Sequence, residues 1–289
     1  MNETKNVAVA IQGWHGANHD IAARAFFGNK TVEIVPCLTF NDLFEEVASN
    51  KDLYGIVAIE NTLAGSLLSN YTLLKNSGLT VLGEHKLRIK HQLMAIEGQS
   101  IEDIREVHSH PMALAQCEDF FHQHRHIKLI ESEDTALSAK RISENRIMKT
   151  AAIASSLSAK LYNLEIIGRN IETNKHNFTR FLIVGNEKAA QSFQPVEKTV
   201  NKSSLVFSLP HEEGSLSKVL TILTFYNVNL TKIQSLPVIG HEWEYLFYID
   251  VMFTDYVRYC QSLDAIRPLC KKLRVLGEYE AAHTLHETN

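Results

Sequence analysis

The sequence lacks the features that mark membrane-spanning, secreted and disulfide-rich proteins. No run of eighteen apolar residues occurs, so no transmembrane helix is predicted. The opening residues, MNETKNVAVAIQG, lack the charged and apolar regions of a signal peptide. The cysteines are scattered with no C-x-x-C pair, which favours buried thiols over disulfides or a zinc site. We therefore expect a cytoplasmic protein.

An excess of positive charge is also absent. Lysine and arginine number 29 against 33 acidic residues, and the formal net charge is −4. Because no basic field exists, we expect neither a nucleic acid partner nor a membrane partner. No internal repeat or low-complexity tract occurs. With 45% apolar residues over 289 positions, the chain can build one large or two ordinary cores.

Histidine, by contrast, is abundant, with 14 in the chain and three in the stretch HQHRH (His122, His124 and His126). A spacing of two would align these side chains on one face of a strand. The preceding PMALAQCEDFF predicts a helix instead, and on a helix that spacing scatters them. We expect a solvated helix end here and no metal site.

The first 185 residues alternate short apolar runs with helical patterns. VAVAIQG, YGIVAIEN and REVHSH predict strands, and a helix follows each of them. The ranges are 7–13, 54–61 and 105–110 for the strands and 18–27, 66–78 and 111–123 for the helices. This repetition predicts an α/β fold with parallel strands, and ligands bind beyond the carboxyl ends of such strands. That rule points to Gly13, to Glu60 with Asn61, and to Ser109 with His110.

Two predicted strands break the repetition. EHKLRIKHQLMAIE (84–97) follows the strand LTVLGE directly, and TRFLIVG (179–185) follows a long apolar helix predicted at 151–164. If Thr179 lies near the other strand ends, its strand must run antiparallel to them. We therefore expect two lobes with a small-molecule cleft between them. The chain would enter the second lobe near residue 90 and return to the first near residue 180.

The last third of the chain predicts a separate domain. Residues 187–203 show no periodicity and contain Pro195, so we expect a linker there. From residue 204 to 289 the pattern gives strands and helices in the order βαββαβ, with helices predicted at 214–227 and 255–273. This order is the split, ferredoxin-like unit.

Several polar residues fall at the predicted strand ends and could line the cleft. Ser109 precedes Pro111, so it could cap a helix whose free amides bind an anion, and Arg180 could hold a second carboxylate. Each residue also has a plain structural interpretation as a cap, a turn residue, a strand residue or a surface ion pair. The set is Glu60, Asn61, Ser109, Gln116, Thr135, Thr179 and Arg180.

The segments together resemble the prephenate dehydratases that carry a C-terminal ACT regulatory domain. AAIASSLSAKLYNLEIIGRNIETNKHNFTRFLIVG is similar to that family's longest signature, which ends in Thr-Arg-Phe. VAIENTLAGS, SHPMALAQC and EDTALSAK resemble three further motifs, and GSLSKVLTILTFYNVNLTKIQSLP resembles the ACT core. Five motifs in order are far more specific than any single one.

The resemblance implies a two-lobed catalytic domain like the type II periplasmic binding proteins, at 1–186. Lobe one would take about 1–85 and 175–186, and lobe two about 86–174. It also implies the conversion of prephenate to phenylpyruvate in phenylalanine biosynthesis, without a cofactor. The implied catalytic residues are Thr179, Glu60 and Asn61, and the implied substrate-binding residues are Ser109, Gln116, Thr135, Arg180 and Phe181.

For the ACT domain the resemblance implies feedback by phenylalanine and assembly into a homodimer or tetramer. The implied effector residues are Gly214, Leu216, Asn229, Leu230 and Ser235. The chain departs from the family at three motifs, and in one of them Met112 stands where the family has Gln after Ser-His-Pro. Ala17, Asn18 and His19 follow the second glycine of the first loop, where Thr or Ala, then Tyr or Phe, then Ser is usual. Gln-Ser-Leu-Pro (234–237) replaces Glu-Ser-Arg-Pro.

Three alternatives stay open at this point. The substrate could be arogenate, which carries an amine where prephenate has a keto group. The two lobes could form an amino-acid-binding sensor that carries out no chemistry. The C-terminal domain could serve only to dimerise the protein.

Overall fold

The computed structural model describes residues 6–28, 30–193, 200–238 and 244–282. The chain divides into two compact units. The first consists of Met1–Glu46, Gly55–Leu67 and His85–Phe181, and the second of Val47–Tyr54, Leu68–Glu84 and Leu182–Asn289. Within the described ranges, no helix is both long enough and apolar enough to cross a bilayer.

The first 193 residues alternate strands and helices as the sequence predicts. In chain order these elements are β1 (Val7–Gln12), α1 (Asn18–Phe27), β2 (Val32–Cys37), α2 (Phe40–Ser49), β3 (Leu53–Asn61), β4 (Gly65–Ser66), α3 (Leu68–Ser77), β5 (Thr80–Arg88), β6 (Gln92–Ala95), β7 (Glu106–Ser109), α4 (Pro111–Ala115), α5 (Glu118–Gln123), β8 (Lys128–Glu131), α6 (Thr135–Glu144), β9 (Thr150–Ala154), α7 (Ser156–Leu161), β10 (Glu165–Gly168), β11 (Phe178–Gly185) and α8 (Glu187–Ser192).

The first sheet has the strand order β2-β1-β3-β11-β5, with β4 paired to the end of β3. Strands β1 and β2 are parallel, and Val9 lies opposite Ile34. The Thr62 amide donates to the Phe178 carbonyl over 2.9 Å, so the end of β3 meets the start of β11. These neighbours therefore run in opposite directions, as predicted for the strand that begins near Thr179.

The second sheet has the order β10-β6-β9-β7-β8. Strand β7 is parallel to β8 and β9, whereas β6 is antiparallel to β9 and β10. Leu93, Val107 and Ile153 are fully buried in its core. The second sheet therefore has an apolar core of its own, and the two sheets agree with the predicted α/β fold.

The helix predicted at 151–164 is wrong. Its first part is strand β9, and only Ser156–Leu161 is helical. All five residues of β9 are buried because the strand lies between β6 and β7, where small apolar side chains fit a central strand. Ser155 separates the two elements, since its hydroxyl caps α7 by accepting the Ser158 amide over 3.1 Å.

Two other predicted boundaries change. The helix predicted at 111–123 is two short helices, α4 and α5, that are interrupted at Gln116 and Cys117. The predicted linker contains helix α8, which begins because the Asn186 side chain accepts the Ala189 amide over 3.1 Å. Residues 194–199, with Pro195, lie outside the described residues.

The C-terminal part of the chain has the predicted βαββαβ order. Its sheet is antiparallel, in the order β13-β14-β12-β15. The second helix ends at Ile266, well before the predicted residue 273, because Pro268 cannot continue it. The elements are β12 (Lys202–Ser208), α9 (Ser215–Phe225), β13 (Asn229–Pro237), β14 (Tyr245–Met252), α10 (Tyr256–Ile266) and β15 (Lys272–Tyr279).

The second unit contains a buried ion pair between β5 and β12. The Lys202 Nζ lies 2.9 Å and 2.8 Å from the two carboxylate oxygens of Glu84, and the Ala282 amide also donates to that carboxylate. The two side chains are 6% and 0% exposed. Strand β15 approaches β5 in the same unit, because a Cβ at Gly277 would lie only 2.0 Å from the Val81 carbonyl oxygen.

We predict that Lys202→Met lowers the free energy of unfolding by about 3–5 kcal/mol, because it leaves the buried Glu84 carboxylate without its lysine partner. The matched control is Lys188→Met. Lys188 pairs with Asp52 over 3.0 Å, but both side chains are largely exposed, so we expect a change below about 1 kcal/mol. Urea unfolding measures both, and equal effects would contradict this account of the buried pair.

Candidate active site

A cleft of about 310 Å³ lies in the first unit, where the strand ends of the two sheets meet. Its volume is in the range of small-molecule sites. Apolar side chains such as Leu67, Ile89 and Phe181 form part of its wall. The polar lining residues are Gln12, Asn18, His19, Asn61, His91, His110, Gln116, Glu133, Asp134, Thr135 and Thr179.

Thr179 is the second residue of β11 and is held by Asn61, the last residue of β3. The Asn61 Nδ2 donates to the Thr179 Oγ1 over 2.9 Å. An amide nitrogen cannot accept in return, so the Thr179 hydroxyl proton is directed elsewhere. In the described part of the chain this hydroxyl donates to no other residue. Its proton is therefore available to a ligand in the cleft.

The orientation of the Asn61 amide follows from its other contacts. Its Oδ1 accepts the backbone amides of Leu63 and Ala64, both over 2.9 Å, in the turn between β3 and β4. Its Nδ2 lies against three oxygens, those of Thr179, Asn177 and the Phe178 carbonyl. Only one orientation of the Asn61 amide places its oxygen against these two N–H donors and its nitrogen against these three oxygens. The β3–β4 turn therefore determines that Thr179 faces the nitrogen of Asn61 and not its oxygen.

The hydrogen bonds continue from Asn61 to the opposite wall. Asn177 accepts from Asn61 over 2.8 Å and donates to the Gln116 Oε1 over 2.8 Å. The same Gln116 oxygen lies 2.9 Å from the His91 Nε2. Since a carbonyl oxygen only accepts, His91 carries its proton on Nε2. Among the described residues, none accepts the two amide protons of Gln116, which lines the cleft.

His91 is a neutral, structural member of this network. Its backbone amide donates to the Glu172 carboxylate over 3.0 Å, and burial lowers the pKa of its imidazole, against the opposing effects of Gln116 and Glu172. Glu172 is 1% exposed and pairs with Lys175. Neutral His91 donates without adding a charge to the cleft.

The N-terminus of α1 also faces the cleft. Ala17, Asn18 and His19 line it, and the N-cap residue Ala17 has no side chain that could accept the first amides. Ten residues of helix follow, so the free amides and the helix dipole together favour an anion. One carboxylate is already present there, because buried Asp20 lies in the first turn and accepts the Gly16 amide over 2.8 Å.

His19 sits between two aromatic rings. Its ring packs edge-on against Phe181 at 5.0 Å and tilted against Phe40 at 5.7 Å, measured between ring centroids. Among the described residues, none hydrogen-bonds its shielded Nε2. Burial lowers the pKa of His19 to about 4, so the ring is neutral at neutral pH.

Asp134 and Thr135 start helix α6 on the opposite side of the cleft. The Asp134 Oδ1 caps the helix by accepting the Leu137 amide over 2.8 Å, and burial raises the pKa of this carboxyl. Its Oδ2 approaches Gly13, where a Cβ would lie 2.7 Å away. Gly13 also has a φ of +102°, so a larger residue is disfavoured there both by the contact with Asp134 and by the backbone conformation.

Of the residues predicted from the sequence, five line the cleft: Asn61, Gln116, Thr135, Thr179 and Phe181. Three do not. Glu60 is half-buried in the β3–β4 hairpin, where it is paired with Ser66. Arg180 is 8% exposed, but side chains alternate along a strand, so it points away from the face that carries Thr179 and Phe181.

The prediction that Ser109 caps a helix is wrong. Ser109 is fully buried, and its hydroxyl donates to the Ile153 carbonyl over 2.7 Å. His110 is the N-cap of α4, through an Nδ1 that accepts the Met112 amide over 3.2 Å. Helix α4 has only five residues, so its dipole is weak. The uncapped helix end in the cleft belongs to α1.

Sequence reasoning missed His91, Asn177 and Asp134. Asn177 could have been found from the sequence, because residues two apart in an extended chain point to the same side, and Asn177 lies two residues before Thr179. The partners of Asn177 are 61 and 116 residues away, so no local pattern contains them. In the described ranges, no cluster of His, Cys, Asp and Glu could hold a metal ion.

The predicted effector residues lie in the C-terminal module. Leu216 lines a cavity of about 120 Å³. Gly214 is the N-cap of α9 with a left-handed backbone. Leu230 packs against the module core, and Asn229 and Ser235 are exposed on β13.

Comparison with known proteins gives consistent matches. The family model of prephenate dehydratase matches residues 9–189. Arogenate dehydratase/prephenate dehydratase 2 of Arabidopsis thaliana is 37% identical, over 99% of this chain and 76% of the relative.

Two solved structures are also similar. Prephenate dehydratase in complex with L-Phe from Arthrobacter aurescens has a TM-score of 0.82 at 27% identity, over 96% of this chain and 90% of that one. The structure titled as GqqA, a quorum quenching acylase, has a TM-score of 0.81 at 29% identity, over 95% and 98% of the two chains.

We predict an imidazole titration midpoint near pH 4 for His19, measured by NMR with His19→Asn to assign the signal. The unfolded ring titrates near its ordinary value of 6.5. Below that value the unfolded state therefore binds more protons. The His19 contribution to stability is complete above pH 6.5 and is lost as the pH falls towards 4. A midpoint near 6.5 would show that water reaches this ring.

Proposed function

The chain belongs to the prephenate dehydratase family, hydro-lyases that convert prephenate to phenylpyruvate, and we propose that Thr179 assists the departing hydroxyl group in this reaction. The observation that carries the proposal is the Asn61–Thr179 hydrogen bond of 2.9 Å at the cleft wall. It leaves one hydroxyl proton directed at a ligand.

The reaction moves one negative charge across a ring. The bond from the ring to its carboxylate breaks, carbon dioxide leaves, and the freed electron pair makes the ring aromatic. The carbon–oxygen bond at the opposite ring position breaks at the same time, and the leaving hydroxide takes a proton to become water. The donor is needed at the leaving oxygen, where the charge develops.

A threonine hydroxyl is a weak acid, so its surroundings have to strengthen it. By accepting from Asn61, the Thr179 oxygen becomes a better donor through its own proton, because linked hydrogen bonds polarise one another. Glu60, the partner that the sequence predicts for this role, does not line the cleft, and Asn61 takes the role in this proposal.

The remaining lining residues position the substrate. The free amides at the start of α1 and the Gln116 amide are proposed to hold the pyruvyl carboxylate. The Phe181 ring packs beneath the reacting ring and excludes water.

The C-terminal βαββαβ module is proposed to be an ACT domain that binds phenylalanine. Its topology supports this assignment, as does the similarity to a solved prephenate dehydratase titled as a complex with L-Phe. The proposed binding region is the cavity lined by Leu216, Tyr245 and Phe247. Inhibition would be reciprocal, so substrate and phenylalanine would weaken each other's binding.

For catalysis we predict that Thr179→Val lowers kcat by about 10²- to 10⁴-fold, because the donor is lost while the shape is kept. KM should change little, since Thr179 acts on the leaving group. Thr179→Ser keeps the hydroxyl and serves as the control. Phenylpyruvate absorbance measures turnover. A valine variant as active as wild type would remove Thr179 from the mechanism.

The same assay separates an enzyme from a binding protein. Binding of prephenate without turnover by the wild-type protein would support a two-lobed sensor and contradict the proposed function.

For regulation we predict that phenylalanine inhibits the wild-type enzyme and that Leu216→Trp, which fills the small cavity, abolishes inhibition while kcat stays unchanged. Phe225→Trp is the matched control, because Phe225 is on the same helix and 75% exposed. Inhibition curves measure all three proteins. If wild type is insensitive to phenylalanine, the module serves assembly only.

A further inference from the structure

The charged residues that line the cleft, among those the structure describes, are all acidic. Among the lining residues that the structure describes, none is lysine or arginine, and two are acidic. Glu133 is already neutralised, because its carboxylate pairs with the Arg141 guanidinium at 2.8 Å and 3.3 Å in a largely exposed position. Asp134 has no lysine or arginine partner in the described part of the chain.

Asp134 is placed to meet a ligand. One carboxylate oxygen is used as the cap of α6, and the other is turned towards Gly13 at the end of β1. The residue is largely withdrawn from water, and this burial raises its pKa, while the backbone amides of Leu137 and Ala136, and then His110, act in the opposite direction. A carboxylate in this position gains from a cationic partner.

We propose that Asp134 is a specificity-determining residue that binds a protonated amine on the side chain of the substrate. The cleft would then prefer arogenate, which carries an amine where prephenate carries a keto group. This inference rests on the dehydratase function proposed above.

Physical chemistry separates the two substrates at this atom. An ammonium group donates to the Asp134 carboxylate and cancels its charge in a site with little water. A keto oxygen can only accept, so it would face the carboxylate with like partial charge. Both substrates share the two carboxylates, the ring and the leaving hydroxyl, so the rest of the cleft treats them alike.

The test compares kcat/KM on arogenate and on prephenate for wild type, Asp134→Asn and Asp134→Ser. Asparagine and serine are both good N-cap residues, so each variant removes the charge and keeps the start of α6. We expect the kcat/KM of wild type to be about tenfold or more higher on arogenate, because one charge-assisted hydrogen bond contributes about that factor. Both variants should lose at least about tenfold on arogenate and stay within about threefold on prephenate.

Glu133→Gln is the matched control, because it removes the same charge one residue earlier from a side chain already paired with Arg141. It should leave the ratio of the two kcat/KM values unchanged. If Glu133→Gln changes this ratio as much as the Asp134 variants do, the preference comes from the overall negative charge of the cleft and not from Asp134, and the proposal is overturned.

The remaining outcomes separate the two proposals. If wild type turns over prephenate and favours it, or if the Asp134 variants lose both substrates alike, Asp134 does not select an amine, and the dehydratase function stands. If wild type turns over neither substrate, the proposed function itself fails. Prephenate turnover by the variants also reports that they are folded.

Discussion

The cleft depends on the fixed orientation of one amide, that of Asn61. Two backbone amides of the β3–β4 turn hold its oxygen, and its nitrogen is thereby directed to Thr179 and Asn177. This is possible only because β11 enters the sheet against the direction of β3, so that the end of one strand meets the start of the other. A parallel insertion would separate these residues by the length of a strand, about 25 Å for eight residues.

The same constraint explains what could be predicted from the sequence. Strand alternation places Thr179 and Phe181 on one face, and that rule also indicates that Arg180 faces the other way. Local patterns were less informative for Ser109, whose position before a proline suits a cap. Its actual partner, the Ile153 carbonyl, is 44 residues away on a neighbouring strand. The network of Asn177, Gln116 and His91 depends on tertiary contacts that no local pattern encodes.

The prediction of one long helix at 151–164 has a related cause. Ile153, Leu157 and Leu161 are spaced by four, yet the first belongs to a central strand and the other two to a helix. Small residues such as the alanines of β9 fit either state, and burial between two strands decided the outcome. The polar residue Ser155 marks the change, because it caps α7 and ends the strand.

The absence of lysine and arginine from the described lining is consistent with the proposed chemistry. A cation against the ring carboxylate would stabilise its charge in the ground state and oppose the loss of carbon dioxide, which requires that charge to leave. The uncapped start of α1 can hold the side-chain carboxylate, which does not react, by dipoles alone. The neutral donor Thr179 then acts where charge arrives, and the proton consumed by the leaving hydroxide comes ultimately from solvent. In this proposal a neutral donor acts where charge moves during the reaction, whereas Asp134, which has no lysine or arginine partner among the described residues, recognises a charge that stays fixed.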